Sequence, residues 1–406
     1  MSDLVMIHTS DWHLGHELAG HSRETEHDAF LAWLLSEIEV QDADVLLVTG
    51  DIYDVANPPI SAMRRLFRFL HEVTTQRSTL QVVIIGGNHD SAARIDLPAA
   101  LLGVGGVRFV GALPKRDGTA DCEAVLLPLK NKDGELSAWL AAVPFCRPGD
   151  LGAHTLPTLY AEVAAKGAAI ANGLPLVISG HLHVAEGQVS ELSERRIVLG
   201  GEEAQSASLF DQRAAYVALG HLHRPQQIAG DVPIRYAGSP FPLSSTERDY
   251  RHSITVVTLS REQCAIAEVA IPRPVAFLAV PSDGPKPLNE VLDCIEGLEL
   301  DEALPREAHP FLEVAVSVSG PEPQLQSQVL AALEGKPVRL TRIQRVLTGT
   351  AETTSIPLAG ENLDELKPEA VFEALFRKRY QDAPPPELAR AFETLLIEVQ
   401  TAEGAA

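Results

Sequence analysis

The stretches LPLVISGHLH (174–183) and AAYVALGHLH (214–223) each join an apolar, β-branched run to the tetrapeptide Gly-His-Leu-His. A continuous apolar run of this length is typical of a strand that is buried on both faces of a sheet. The doubled ending has three interpretations: a repeat unit, two loops that bring imidazoles to one place, or a coincidence in one copy. No similar stretch occurs at the same interval before or after the pair, which excludes a solenoid repeat.

Earlier parts of the chain contain runs of the same composition: LVMIHTS (4–10), ADVLLVTG (43–50) and LQVVIIGG (80–87). Between them, residues 22–41 and 57–73 have apolar side chains at helical spacing, and prolines stand at the start of the second stretch. Residues 121–129 and 136–145 predict a further pair of strands. Strands that alternate with helices predict an α/β fold.

Each of the five buried runs is followed by a short loop that contains carboxylate, amide or imidazole groups. These groups are Asp11 and His13, Asp51, Asn88 and His89, His181, and finally His221 and His223. In open α/β sheets, ligands bind beyond the carboxyl ends of the strands, so these loops are expected to meet in space. Each motif is a weak signal by itself, but five polar clusters at five strand ends form a strong one.

The character of these side chains indicates metal ions. Asp, Asn and His are oxygen and nitrogen donors, and no cysteine accompanies them in a pattern, which excludes a structural zinc site of the thiolate kind and favours Mn or Fe over Mg or Zn. Seven donors exceed the needs of one ion but suit two ions that share a carboxylate. Two such ions stabilise the attacking and leaving oxygens in a phosphoryl displacement.

Composition limits the class of protein. The chain has 406 residues, of which 45% are hydrophobic and 22% charged, and it carries a formal net charge of −22. Neither a membrane-spanning run nor a signal peptide is predicted, and four cysteines without a CxxC pair are typical of a cytoplasmic protein with reduced thiols. The negative charge argues against autonomous DNA binding but not against a nuclease, because metal ions and a partner protein can supply positive charge.

The sequence changes character near residue 275, where a stretch rich in proline and glycine predicts a domain boundary. We expect a domain at 1–275, a small α+β module at 276–347, and a segment at 348–406 with two amphipathic helices, PEAVFEALFRKRY and PELARAFETLLIEVQ. These helices either dock on a neighbouring protein or pack on their own domain; the pattern does not distinguish the two.

Five motifs, TSDWHLG, GDIYD, GGNHDS, GH and GHLH, resemble those of the calcineurin-like metallophosphoesterases. Within that superfamily, IHTSDWHLG, DVLLVTGDIYDVANPP, AAYVALGHLHRPQ and IRYAGSPFPLS resemble the SbcD family of bacterial nuclease subunits. The resemblance is strong over about the first 275 residues. In the C-terminal third, the chain is similar to the family in length and in the order of its predicted elements more than in motifs. It implies an αββα sandwich with a smaller α+β capping domain and C-terminal helices.

The resemblance also assigns roles to the residues of the motifs. It implies that Asp51 bridges two metal ions and that His89 is the catalytic residue, which steadies the transition state or protonates the leaving oxygen. The remaining implied ligands are Asp11, His13 and His223 for the first ion, and Asn88, His181 and His221 for the second.

Other polar residues near the motifs are expected to act outside the ligand set. Asp54 and Asp90 are candidates for support of the ligands, although Asp54 stands where some relatives have a histidine that orients DNA. His183 is expected to be a bystander, with a supporting role left open. His8 and His16 flank the first motif, and nothing in their spacing indicates a role.

The function implied by the resemblance is that of the nuclease subunit of an SbcCD-type complex, acting in DNA repair, recombination and replication. It includes ATP-dependent 3′–5′ double-strand exonuclease and single-strand and hairpin endonuclease activities, with two divalent ions, most often Mn²⁺, with Mg²⁺ or Fe²⁺ as alternatives. The implied partners are DNA, a second copy of the chain, and an SbcC-like, SMC-type ATPase in a complex of two copies each. The chain has no G-x-x-x-x-G-K-[ST] motif, which fits an ATPase on a separate chain.

Two other functions remain open at this point. A small-substrate phosphodiesterase or phosphomonoesterase would use the same scaffold, although GDIYDVANPP lacks the arginine of the protein phosphatases and the C-terminal third would have no evident use. A scaffold that binds DNA ends and merely retains the metal site is the other alternative.

Overall fold

The computed structural model describes residues 3–98, 106–190, 204–320 and 322–347, together with isolated positions between 376 and 392. The strands are β1 (Leu4–Thr9), β2 (Glu17–Leu18), β3 (His21–Ser22), β4 (Val45–Thr49), β5 (Gln81–Ile85), β6 (Val107–Val110), β7 (Lys115–Arg116), β8 (Thr119–Ala120), β9 (Leu126–Lys130), β10 (Leu136–Ala142), β11 (Leu176–His181), β12 (Tyr216–Gly220), β13 (Gln226–Ile228), β14 (Ile234–Tyr236), β15 (Ser253–Leu259), β16 (Cys264–Ala270), β17 (Phe277–Val280), β18 (Phe311–Val318) and β19 (Arg339–Leu347). The α-helices are α1 (Glu24–Val40), α2 (Ile60–Gln76), α3 (Ala92–Asp96), α4 (Leu156–Ala171), α5 (Leu288–Glu296) and α6 (Leu325–Ala332).

Two six-stranded sheets form the larger part of the fold. The first has the order β16-β15-β1-β4-β5-β6, and its four strands β1, β4, β5 and β6 are parallel. The second has the order β13-β14-β12-β11-β10-β9, in which β10, β11, β12 and β14 are parallel. All five runs that precede the polar loops therefore belong to the parallel parts of these sheets.

The two sheets pack face to face, with helices on the outside. In β4, Val45 and Leu47 contribute to the core between the sheets, whereas Leu46 and Val48 contribute to the core that includes residues of α1 and α2. Successive side chains of a strand point to opposite faces, so the continuous apolar run reflects burial on both sides. Helix α4 covers the outer face of the second sheet, where Val163 packs in one core with β11. The predicted αββα sandwich is confirmed.

A smaller parallel sheet, β17-β18-β19, follows the sandwich, and α5 and α6 pack against it. Its contact with the larger part includes the guanidinium of Arg23, which lies 4.7 Å from the ring centre of Phe241 and 4.8 Å from that of Phe311. The stretch after residue 275, which the sequence predicts to be a boundary, contains the strand β17. This strand has only four residues and stands close to prolines, so it has little local signal.

The two predicted C-terminal helices lie outside the described residues apart from isolated positions, and the chain divides at 348/349 into two compact units. Within the parts of the chain that the structure describes, no helix combines the length and apolarity needed to cross a membrane.

Candidate metal centre

The polar loops at the carboxyl ends of β1, β4, β5, β11 and β12 come together at one edge of the sandwich. Ligand atoms of Asp11, His13 and His223 lie within 4.8 Å of one another, and so do those of Asp11, Asp51 and His181. Because Asp11 belongs to both groups, the two groups form one continuous cluster.

Asn88 connects the last predicted ligands to this cluster. Its side-chain oxygen lies 2.9 Å from Nε2 of His181 and 3.1 Å from Nδ1 of His221. The backbone N–H of His221 also donates to the carboxylate of Asp11 at 3.1 Å. All seven residues predicted as ligands are thus neighbours, although they are spread over more than two hundred positions of the sequence.

The backbone holds several of these residues in an unfavourable conformation. Asp11, His13, Asp51 and His221 have positive φ angles of 52°, 45°, 49° and 104°. Residues other than glycine adopt such angles at a cost, which surrounding contacts must offset. Hydrogen bonds from the N–H groups of Asp11 and His13 to the carbonyls of Gly50 and Asp51 provide such contacts and couple the first loop to the second.

Three of the histidines are oriented by an acceptor on their outer side. Nδ1 of His181 donates to the carbonyl of Thr49 at 2.9 Å, and Nδ1 of His223 pairs with Glu247 at 2.9 Å. Nδ1 of His13 pairs with Asp54 at 3.2 Å. Metal-binding histidines commonly have this arrangement, because the outer bond fixes the ring and turns the other nitrogen towards the ion. Nε2 of His13 is buried, lies 3.6 Å from Asp51, and has no hydrogen-bond partner among the described residues.

The electrostatics of the cluster favour a bound cation. Burial lowers the pKa of His181, but the charge of Asp51, a hydrogen bond to Asp51 and the charge of Asp11 together outweigh this effect, and the pKa rises to about 9. Burial raises the pKa of Asp11 to about 6. The shift of His181 arises because the buried carboxylates favour positive charge beside them, and the shift of Asp11 arises because burial disfavours its ionised form. A divalent cation in the cluster would stabilise the carboxylates in their charged form.

Two other histidines of the cluster, His13 and His221, are suited to bind metal in their neutral form. Burial lowers the pKa of His13 to about 4 and that of His221 well below its usual value. A neutral imidazole is the form that coordinates metal ions. With its carboxylate, amide and imidazole groups, the donor set therefore fits divalent cations with oxygen and nitrogen ligands.

The cluster forms part of the wall of a cleft of about 350 Å³. His89 lines this cleft beside His13, with the two ring centres 4.9 Å apart. Its backbone N–H donates to Asp51 at 2.9 Å, and its Nδ1 donates to the carbonyl of Asp54 at 2.7 Å. These bonds leave Nε2 as the nitrogen with which His89 can act in the cleft.

The two predicted supporting carboxylates occupy different positions. Asp90 accepts hydrogen bonds from the backbone N–H groups of Ile52, Tyr53 and Gly87, so it braces the loops that carry Asp51 and Asn88. Asp54 pairs with both His13 and His16, and these bonds overcome the effect of burial and hold its pKa below the usual value.

Three histidines of the motifs lie near the cluster without belonging to it. His8 is buried and bonds to Tyr216 and Thr49 inside the sandwich. His183 is half-buried, with its ring centre 6.3 Å from that of His221. His16 lines the cleft, where it shares Asp54 with His13 and contacts the carbonyl of Leu243. This position in the cleft was not predicted, because nothing in the spacing of His16 indicates a role.

Sequence reasoning also missed two residues that come from distant segments. Glu247 is fully buried in a short 3₁₀ turn and accepts hydrogen bonds from His223 and from the backbone N–H of Leu243. Arg342 of β19 lines the cleft from the smaller sheet, with its guanidinium 3.8 Å from Glu313. Neither residue stands in one of the five motifs, so nothing in the sequence around it indicated a position near the cluster or the cleft.

Replacement of Glu247 by glutamine is expected to weaken Mn²⁺ binding about 10- to 100-fold, since the carboxylate that orients and polarises His223 is lost. Isothermal titration with Mn²⁺ measures the change. Glu26→Gln is the matched control, because Glu26 is also buried but pairs with Arg23 away from the cluster. Equal Mn²⁺ affinity in the two variants would contradict the role given to Glu247.

The glycine of the second GHLH motif is needed for close packing of strand ends. A Cβ atom at Gly220 would lie 1.9 Å from the carbonyl oxygen of Thr49 and 3.0 Å from Nδ1 of His181, the two partners of one hydrogen bond. We expect Gly220→Ala to lower the free energy of unfolding by about 1–3 kcal/mol and to weaken Mn²⁺ binding. Urea denaturation measures the first effect, and Gly149→Ala, which meets nothing within 4 Å, is the control.

Comparisons with known proteins identify the class of the chain. The family model of the calcineurin-like phosphoesterases matches residues 4–225, more than half of the chain, and a model described as the type 5 capsule protein repressor C-terminal domain matches residues 273–380. The chain is therefore a calcineurin-like phosphoesterase. Among solved structures, a dimetal phosphatase from Danio rerio is similar over 67% of this chain and 98% of its own, with a TM-score of 0.40 and 10% identity.

Curated relatives give a narrower assignment. The chain is 39% identical to the SbcD subunit of the SbcCD nuclease of Rhodobacter capsulatus, over 91% of this chain and 94% of the relative. It is 30% identical to the protein of the same name from Escherichia coli K12, over 90% and 91% of the two chains. Within the calcineurin-like phosphoesterases, the chain therefore belongs to the SbcD family.

Proposed function

We propose that this chain is the nuclease subunit of an SbcCD-type complex and hydrolyses DNA phosphodiesters with two divalent metal ions. The observation that carries the proposal is the buried cluster of carboxylate, amide and imidazole ligands at the wall of the cleft that His89 lines. The proposed activities are ATP-dependent 3′–5′ exonuclease on double strands and endonuclease on single strands and hairpins, in cytoplasmic DNA repair, recombination and replication.

We propose the division of the metal ligands that the resemblance to the family implies. Asp11, His13 and His223 would hold one ion, and Asp51 would contact both. The residues for the other ion are Asn88, His181 and His221. When bound, the ions, which we take to be Mn²⁺, neutralise charge on the phosphate and lower the pKa of a water molecule.

His89 is assigned the proton transfer to the leaving oxygen. Its Nδ1 is fixed by the carbonyl of Asp54, so the ring cannot turn away from the cleft, and Nε2 would carry the proton that is transferred. Imidazoles are the side chains that most often act as general acids in enzymes. Positive charge on Arg342, which also lines the cleft, would help to hold the anionic backbone of DNA there.

The partners follow from the division of the chain. We assign residues 1–275 to the nuclease domain, 276–347 to the capping domain, and 348–406 to the binding of an SMC-type ATPase, in a complex with two copies of each protein. Helix α2 is the proposed contact between two copies of this chain. Because the net charge of −22 argues against autonomous DNA binding, we propose that the partner contributes cationic surface for it.

A nuclease assay in Mn²⁺ tests the proposal, with a blunt duplex, a hairpin and a small chromogenic phosphodiester as substrates. Each is to be measured with and without the ATPase partner and ATP. We expect cleavage of both DNA substrates and stimulation on the duplex by the partner. Hydrolysis of the chromogenic diester without cleavage of either DNA would instead identify a small-substrate phosphodiesterase.

A further inference from the structure

A second group of potential metal ligands lies on the outer face of the second sheet, in the layer of α4. Cys122 lies in the segment between β8 and β9, His154 precedes α4, and Glu162 lies within that helix. One ligand atom from each of the three residues lies within 4.8 Å of the other two. None of these residues belongs to the phosphoesterase motifs, so the group has no part in the site described above.

Hydrogen bonds centred on Glu162 hold this group together. Nε2 of His154 donates to one carboxylate oxygen at 2.8 Å, and Nζ of Lys166 lies 3.1 Å from the other. The sulfur of Cys122 lies within 4.8 Å of the ligand atoms of both His154 and Glu162. A sulfur, a nitrogen and an oxygen from three separate segments therefore converge on one point.

The imidazole of His154 keeps one buried nitrogen, Nδ1, that has no partner within the described ranges. The hydrogen bonds of the group therefore do not use both nitrogens of this ring. A cation bound between the three side chains would take a ring nitrogen of His154, a carboxylate oxygen of Glu162 and the thiolate of Cys122 as ligands.

The spacing suits zinc. Bonds of about 2.3 Å to sulfur and about 2.0–2.2 Å to nitrogen and oxygen place the ligand atoms of a tetrahedral site about 3.3–3.7 Å apart. Atoms that already lie within 4.8 Å of one another reach this spacing by small side-chain rotations. Thiolate and imidazole together favour Zn²⁺, whereas the sulfur-free nuclease cluster suits Mn²⁺.

We propose that Cys122, His154 and Glu162 bind one zinc ion, with the fourth position open to solvent. The side chain of Glu162 is 39% exposed, so the site can be reached by water and by the ion. Zinc takes the neutral imidazole and the thiolate, so binding releases the thiol proton to solvent. When Glu162 binds the ion, Lys166 still has the carboxylate of Glu123, 3.7 Å away, as an ion-pair partner. The ion would fasten the segment between β8 and β9 to the start of α4.

Cobalt substitution tests this site independently of nuclease activity. The full-length chain is freed of metal, saturated with excess Mn²⁺, and titrated with Co²⁺ up to one equivalent. Cobalt bound to Cys122 gives a thiolate-to-cobalt charge-transfer band in the near ultraviolet, which the oxygen and nitrogen ligands of the nuclease cluster cannot produce. We expect this band in the wild-type chain, and we expect equimolar Zn²⁺ to abolish it.

Matched variants identify the ligands. Cys122→Ser is expected to lose the band, and Cys146→Ser, which removes another buried thiol, is expected to keep it. His154→Ala and Glu162→Gln are expected to weaken Co²⁺ binding at least ~10-fold. Retained DNA cleavage by Cys122→Ser would show that this variant is folded. Absence of the band in the wild-type chain, or its survival in Cys122→Ser, would overturn the proposal.

Discussion

Replacement of Asp51 by asparagine is expected to lower the rate of DNA cleavage about a thousandfold, which corresponds to about 4 kcal/mol of activation free energy. Asp51 lies 3.6 Å from Nε2 of His13 and 3.4 Å from Nε2 of His181, between the two groups of ligands. Its carboxylate is the charge that raises the pKa of His181. Asparagine keeps the size of the side chain but removes this charge, so both proposed metal positions lose a ligand of full negative charge.

Mn²⁺ content and cleavage of a hairpin are to be measured on the same preparation of the Asp51→Asn variant. We expect both to fall, because the proposed role of Asp51 is to hold the ions. Asp44→Asn is a matched control at the opposite end of β4, where the buried Asp44 accepts a hydrogen bond from the backbone N–H of Val5. An Asp51→Asn variant with wild-type cleavage would refute the metal centre itself.

The buried parallel strands and the residues that follow them were predictable because their signals are local. A run such as 43–50 is apolar throughout, and it ends directly at Asp51. A strand has a direction, so the residue after its carboxyl end has a known place relative to the sheet. The α/β layering is therefore confirmed, and the side chains within a few positions of a strand end lie close together as expected, while their roles as ligands stay a prediction.

Contacts between distant segments were not predictable in this way. Glu247 reaches His223 because a short 3₁₀ turn after β14 folds back on the second GHLH loop, and no periodicity indicates that path. His16 is connected to the cluster only through Asp54, which pairs with both His16 and His13. Arg342 enters the cleft through the packing of the smaller sheet on the larger part, which the pattern of a single strand does not determine.

The local geometry also explains why the two copies of Gly-His-Leu-His contribute different numbers of histidines to the cluster. In the second copy, both His221 and His223 belong to the cluster, whereas in the first copy only His181 does. His181 is the last residue of β11 and is buried, but His183 lies two positions farther along and is half-buried. The tetrapeptide itself does not separate the two copies, because the same four residues precede different turns; only the resemblance to the family implied the distinction.

Replacement of His89 by glutamine is expected to slow DNA cleavage about 10²- to 10⁴-fold, the usual contribution of general acid catalysis, while Mn²⁺ content stays unchanged. His89 contacts Asp51 only through its backbone N–H, which glutamine retains, so the metal ligands keep their positions. The loss should appear in kcat and not in KM, because the proton is needed only when the leaving oxygen departs. This combination distinguishes His89 from Asp51, whose replacement removes metal and activity together.

His183→Gln is the matched control for this prediction, because His183 is a half-buried imidazole close to the same cluster that is expected to be a bystander. It should cleave DNA at nearly the wild-type rate. A substrate with a good leaving group, such as a nitrophenyl phosphodiester of thymidine, should be cleaved by His89→Gln with a much smaller defect, since such a group leaves without a proton. Equal defects on both substrates would mean that His89 positions the phosphate and does not transfer the proton.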